Sequence, residues 1–183
     1  NFGIRIEVQQ GRNYPYKKKK EMKNILIIGA NGFTGRRILN DLSVNPIYHV
    51  TGCSLRDDIC PGKDYRFVRT DIRDENEVRK LFKECRPDIV INTSALSVPD
   101  YCETHHAEAE ATNVTAVETI AHVCEQYGSR FIHLSTDFVF DGKSTRLYKE
   151  EDEAIPVNYY GVTKLKAEKI IASICSNYAI VRV

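Results

Sequence analysis

The feature that most constrains this chain is a glycine triplet set between a strand and a helix. Residues 24–28 are an apolar run, residues 33–42 have helical spacing, and Gly29-Ala30-Asn31-Gly32-Phe33-Thr34-Gly35 joins them. In a dinucleotide-binding turn the first glycine allows the tight bend. The second lets backbone approach a pyrophosphate, and the third lets the helix pack closely on the sheet. The free N–H groups at the helix start then face the phosphates. The spacing here is G-x-x-G-x-x-G, so the strand–turn–helix context carries the reading. Gly29, Asn31, Gly32, Phe33, Thr34 and Gly35 are cofactor-binding candidates.

Strand and helix patterns alternate along the rest of the chain. Short apolar or β-rich runs fall at 48–53, 65–69, 88–91, 130–134 and 178–183. Helical spacing falls at 75–85, where Val78, Leu81 and Phe82 share a face, at about 106–127, ended by Gly128, and at 158–176. Six strands linked by helices predict a parallel sheet with helices on both faces. The expectation is an α/β Rossmann fold: a doubly wound, three-layer α/β/α sheet in order 3-2-1-4-5-6. Residues 22–183 form this domain. Residues 1–21 hold six cations against two anions and no sustained period, so they are expected to be a disordered or non-native extension before Met22.

The net charge of +1 argues against a nucleic-acid partner. No apolar run approaches the roughly 20 residues of a membrane span, and no signal peptide is visible. Six cysteines without a C-x-x-C pair read as buried, reduced thiols in a cytoplasmic protein. Cys102, His105 and His106 lack a second ligand pair, so no metal site is expected.

Cofactor choice turns on the end of the second strand. An acid there would bind the adenosine ribose hydroxyls. Ser54-Leu55-Arg56 offers none, and Arg36 and Arg37 follow the last glycine. Guanidinium groups pair with a 2′-phosphate, so the expectation is NADP, with NAD admitted.

Tyr160 and Lys164 stand four apart in a predicted helix and so share a face. A nearby ammonium is expected to lower the tyrosine pKa from about 10 and let the phenol pass a proton to a carbonyl oxygen. Ser135 and Thr136 follow the fifth strand at the end where open α/β sheets bind ligands. A hydroxyl there can steady a developing oxyanion.

Taken together, GANGFTG (29–35), DIVINTSA (88–95), LSTDFVFDG (134–142) and PVNYYGVTKLKAE (156–168) resemble the extended short-chain dehydrogenases/reductases, and within them the dTDP-4-dehydrorhamnose reductase group. The resemblance covers residues 22–183. It implies reduction of a nucleotide-linked 4-keto sugar with NAD(P)H, or epimerisation on the same scaffold. It also admits a non-catalytic regulatory subunit of the methionine adenosyltransferase kind. Thr136, Tyr160 and Lys164 would be the catalytic triad, with Lys164 also on the nicotinamide ribose. Asp71 and Ile72 would flank the adenine. Thr93, Ser94 and Ala95 would line the cofactor, as would Ser54 and Arg56 at the second strand's end. Asn113 matches a helix asparagine of the family, and Asp100 and Glu103 follow a loop that faces substrate. A nucleotide sugar is the implied partner, and a homodimer is admitted. The family's C-terminal substrate part, roughly another hundred residues, is expected to be absent from this chain.

Overall fold

The computed structural model describes residues 22–61 and 64–183. The expectation for residues 1–21 lies outside the described residues. β1 (Lys23–Ile28) leads into α1 (Phe33–Ser43), then β2 (Tyr48–Ser54), β3 (Arg66–Arg69) and α2 (Glu75–Cys85). β4 (Ile89–Asn92) is followed by α3 (Pro99–Thr104) and α4 (His106–Glu110). A π-helical turn (Ala111–Thr115) then runs into α5 (Ala116–Tyr127). β5 (Arg130–Ser135), a 3₁₀ turn (Asp137–Val139), α6 (Tyr159–Ile174) and β6 (Tyr178–Arg182) complete the domain.

All six strands pair in parallel, in the order β3-β2-β1-β4-β5-β6. The order reverses between β1 and β4, where Ile25 pairs with Ile89 and Ile28 with Asn92. Ligand crevices in open sheets form at such a reversal, beyond the carboxyl ends of the strands. The fold is the Rossmann arrangement expected from the sequence.

β1 shows why the sheet needs cover on both faces. Successive strand side chains point to opposite sides. Leu26 and Ile28 join Val78, Phe82, Ile120, Phe131 and Ile171 from α2, α5, β5 and α6. Ile25 and Ile27 pack with Leu39 of α1 and Val50 of β2 on the other side. Burying one such side chain contributes about 1.5–3 kcal/mol.

Several helix ends follow sequence chemistry. Asp74 caps α2 by accepting from the N–H groups of Asn76 and Glu77. Gly128 closes α5 at φ 67°. Asn158 caps α6, accepting from the Gly161 N–H at 2.8 Å, and so fixes the start of the helix that carries Tyr160 and Lys164.

The helix expected over 106–127 contains the π turn, which a 3.6-residue pattern does not reveal. α3 begins at Pro99 and was not legible as a helix. The thiol expectation is corrected in part: Cys53, Cys102, Cys124 and Cys175 are buried, Cys85 is half-buried and Cys60 is exposed. Among the described residues, no helix is long and apolar enough to cross a membrane.

Candidate cofactor and catalytic site

The turn after β1 is built so that only glycine fits. Gly29 has φ +82°, and a Cβ there would lie 2.7 Å from the Ser94 nitrogen. A Cβ on Gly35 would lie 2.3 Å from the Gly29 carbonyl oxygen and 2.6 Å from Thr93 Oγ1. The loop therefore presses against the residues that follow β4. α1 starts at Gly32 with no side-chain cap and no acid in its first turn. Its first N–H groups remain open to an anion.

A cavity of about 430 Å³ opens over this turn. Gly29, Gly32, Phe33, Thr34 and Gly35 line one side, and Thr93, Ser94 and Ala95 another. Tyr160 and Lys164 line it as well. A neighbouring cavity of about 270 Å³ shares Gly29, Ser54, Ser94 and Ala95, and adds Asp71 and Ile72. The shared residues make the two a continuous crevice across the carboxyl ends of the strands. A long ligand with phosphates in its middle fits that shape and that backbone cradle.

Several expected residues stand elsewhere. Asn31 donates to the carbonyls of Arg56 and Asp57 at 3.2 and 2.9 Å, tying down the loop after β2. Arg56 is exposed and lines neither cavity. Asn113 is buried; it accepts from the Leu96 N–H at 2.8 Å and donates to Thr163 Oγ1 at 3.1 Å. It braces the π turn against the loop after β4 and against α6. Glu103 accepts from the Tyr159 N–H at 2.6 Å, at the start of α6.

The two arginines behind the NADP expectation are occupied. Arg36 pairs with Asp58 at 2.7 Å and also donates to Tyr65 and Asn31. Arg37 pairs with Asp41 one turn along α1. Arg56, just past β2, makes no ion pair among the described residues and is left as the free cation there.

Thr136 is buried after β5, and its Oγ1 accepts from the Phe138 N–H at 3.2 Å. Burial pushes the Tyr160 hydroxyl above its ordinary pKa, with the Thr136 hydroxyl pulling the other way. Lys164 is buried; its Nζ donates to the Leu134 carbonyl at 2.7 Å and lies 3.0 Å from His133 Nε2. Burial lowers its pKa to about 8, against the opposing charge of Glu168. The expected lowering of the tyrosine by a charged lysine is therefore corrected. Desolvation dominates both groups, and the amine is turned toward β5.

His133 and Asn92 were not singled out from the sequence. A signal existed: His133 sits two residues after Phe131 in β5, on the buried face. A polar side chain in that position needs a partner. Of the cluster weighed for metal, Cys102 points its thiol at the Leu96 carbonyl, while His105 and His106 stack on Tyr101 and Tyr159.

A Rossmann domain whose glycine turn faces a tyrosine and a lysine from one helix defines an NAD(P)-binding domain of the short-chain dehydrogenase/reductase type. The chain belongs to the RmlD substrate binding domain family, whose model matches residues 22–183. It is 31% identical over 161 residues to methionine adenosyltransferase 2 subunit beta of Bos taurus, covering 88% of this chain and 46% of that one. It is 35% identical over 156 residues to the probable low-salt glycan biosynthesis reductase Agl14 of Haloferax volcanii, covering 85% and 51%. The crystal structure of dTDP-4-dehydrorhamnose reductase from Bacillus anthracis in complex with NADP superposes with a TM-score of 0.77 at 26% identity, covering 88% of this chain and 53% of that one. The chain thus spans about half the length of these relatives.

Proposed function

We propose that this chain is the cofactor-binding and proton-donating half of an NAD(P)H-dependent reductase that acts on a nucleotide-linked 4-keto sugar, as dTDP-4-dehydrorhamnose reductase does. One observation carries the reading: Tyr160 and Lys164 line the same cavity as the glycine turn. The NADP in the Bacillus anthracis relative supports the cofactor, with NAD as the alternative.

When bound, the nicotinamide supplies the hydride. The N-terminus of α1 and the Gly29–Gly35 loop hold the pyrophosphate. Ser54, Asp71 and Ile72 take the adenosine end, and Thr93, Ser94 and Ala95 line the middle. Tyr160 gives its proton to the keto oxygen, and Thr136 hydrogen-bonds that oxygen as charge develops. The raised pKa of Tyr160 keeps the phenol protonated at neutral pH, as a proton donor must be. In this reading a separate substrate domain grips the sugar, and the protein works in the cytoplasm. The test is NADPH oxidation in the presence of dTDP-4-dehydrorhamnose. Turnover lost in Tyr160→Phe, with NADPH binding kept, supports it. Turnover unchanged in that variant overturns the assignment of the acid.

A second reading is favoured by the Bos taurus relative, named as a subunit of methionine adenosyltransferase. Here the same crevice binds cofactor and the domain contacts a catalytic partner. Co-purification with a methionine adenosyltransferase catalytic subunit, together with no sugar turnover, would select it.

A further inference from the structure

Along the cavity wall runs a chain of four side chains, of which Ser94 and Lys164 line the cavity and Asn92 and His133 lie behind it. Ser94 donates its backbone N–H and its hydroxyl to Asn92 Oδ1, at 3.0 and 2.6 Å. Asn92 Nδ2 lies 3.2 Å from His133 Nδ1. His133 Nε2 lies 3.0 Å from Lys164 Nζ. Asn92 and His133 are fully buried, and Lys164 nearly so.

Donor and acceptor roles along this chain are not free. A backbone N–H can only donate, so the Asn92 oxygen faces Ser94 and its NH₂ faces His133. His133 Nδ1 must then accept. A neutral imidazole with Nδ1 accepting carries its proton on Nε2, facing Lys164. Two donors would meet there if Lys164 were an ammonium ion. The arrangement closes only with Lys164 as the free amine, accepting from Nε2–H while giving a proton of its own to the Leu134 carbonyl. Burial keeps His133 neutral, well below the ordinary histidine range.

A charged Lys164 requires the mirror arrangement. Nε2 accepts from the ammonium, His133 carries its proton on Nδ1, and the Asn92 amide turns so that its oxygen receives it. The net change is uptake of one proton from solvent. The turned amide then presents NH₂ to the Ser94 N–H, which loses its acceptor. Ser94 lines both cavities. The Ser94 hydroxyl then accepts from that NH₂ and is free to give its own proton to a ligand oxygen in the crevice.

We propose that His133 is a positioning residue that sets the charge of Lys164, moving its own proton between its two ring nitrogens while Asn92 turns in step. Occupancy of the crevice at Ser94 thereby favours the charged lysine. The groups that face Lys164 are His133 and the Leu134 carbonyl from β5 and Glu168 from its own helix, with Tyr160 one turn away on the same cavity wall. Asn92 of β4 acts through His133, and Arg182 of β6 acts through Glu168. Of these, only His133 has a second proton site to exchange.

The proposal rests on the reading of Lys164 as part of the proton-handling site, yet its test needs no turnover. The chain is labelled with ¹⁵N-histidine and ¹³C-lysine and titrated by NMR, with His133→Gln and Lys164→Arg assigning the signals. The expected result is a proton on Nε2 of His133 above the Lys164 titration and on Nδ1 below it. The same tautomer throughout overturns the proposal. Asn92→Asp fixes the acceptor toward His133 and is expected to raise the Lys164 midpoint by at least about one pH unit, tenfold in proton affinity. In a His133→Phe background the same substitution is expected to move it far less. Equal shifts in the two backgrounds mean that the added charge acts alone, which also overturns the proposal. A chain that reduces no sugar but shows the tautomer exchange rejects only the enzymatic reading.

Discussion

Arg182 grips Glu168 with two parallel hydrogen bonds, Nε at 3.0 Å and Nη2 at 2.7 Å, and so joins β6 to α6, the helix that carries Tyr160 and Lys164. Ser135 also donates to that carboxylate, at 2.5 Å. The Glu168 side chain is only 6% exposed, so the carboxylate has left water, while Arg182 remains partly exposed. Breaking it by Arg182→Met leaves a buried carboxylate unpaired and is expected to cost about 3 kcal/mol. Replacing both residues, with Glu168→Leu added, is expected to cost less than that single change. Urea denaturation of the two variants and the unmodified chain checks the order. A double variant less stable than Arg182→Met alone would show that the pair is a net stabiliser.

The glycine turn gives a second expectation. Gly35→Ala places a methyl 2.3 Å from the Gly29 carbonyl oxygen, backbone that cannot step aside cheaply. The loop must shift away from Thr93, and the phosphate cradle with it. NADPH affinity, read by fluorescence titration, is expected to fall at least about tenfold, equivalent to roughly 1.4 kcal/mol. Unaltered affinity would place the cofactor elsewhere.

Cofactor preference should follow Arg56, because Asp58 and Asp41 already hold Arg36 and Arg37. Hydrogen bonds to charged groups contribute about 1.5–3 kcal/mol. Arg56→Ala is therefore expected to weaken NADPH by about tenfold or more and leave NADH nearly unchanged. Competitive titration of the two cofactors measures the ratio. An equal loss for both would mean that Arg56 supports the loop rather than reading the 2′-phosphate.

The parts of this molecule legible in its sequence are those with a local cause. The β1–glycine–α1 unit declares itself through an apolar run, three glycines and a helical period. The Tyr160–Lys164 pair declares itself because a four-residue spacing is a face of a helix. Gly128 marks a helix end because a left-handed residue costs glycine nothing. What stayed hidden depends on distant partners. Arg36 looks free in the sequence, and only the fold brings Asp58 and Tyr65 to it. His133 reads as one polar residue in a strand until β4 and α6 put Asn92 and Lys164 on its two nitrogens. The π turn is hidden for another reason: its five residues, set between α4 and α5, are too few to show a period of their own.

Lys164 gives the fold a pH-dependent stability. Its pKa falls from 10.5 unfolded to about 8 folded, chiefly through burial. Because the folded amine is the weaker base, the unfolded chain binds more protons between those values. Stability from this group therefore rises with pH from about 8 to about 10.5. Below pH 8 the buried charge costs the folded state in full, on the order of 3 kcal/mol. Lys164→Met removes the titration. Relative to the unmodified chain it is expected to gain stability at pH 7, less about 1 kcal/mol for the lost hydrogen bond to the Leu134 carbonyl. The advantage should shrink steadily as pH climbs toward 10. Under the proposed reductase function turnover is expected to be lost at every pH, the usual exchange of stability for a working site. Paired denaturation curves at pH 7, 8, 9 and 10 decide the matter. A stability difference that stays constant across that range would show that Lys164 keeps its ordinary basicity in the fold.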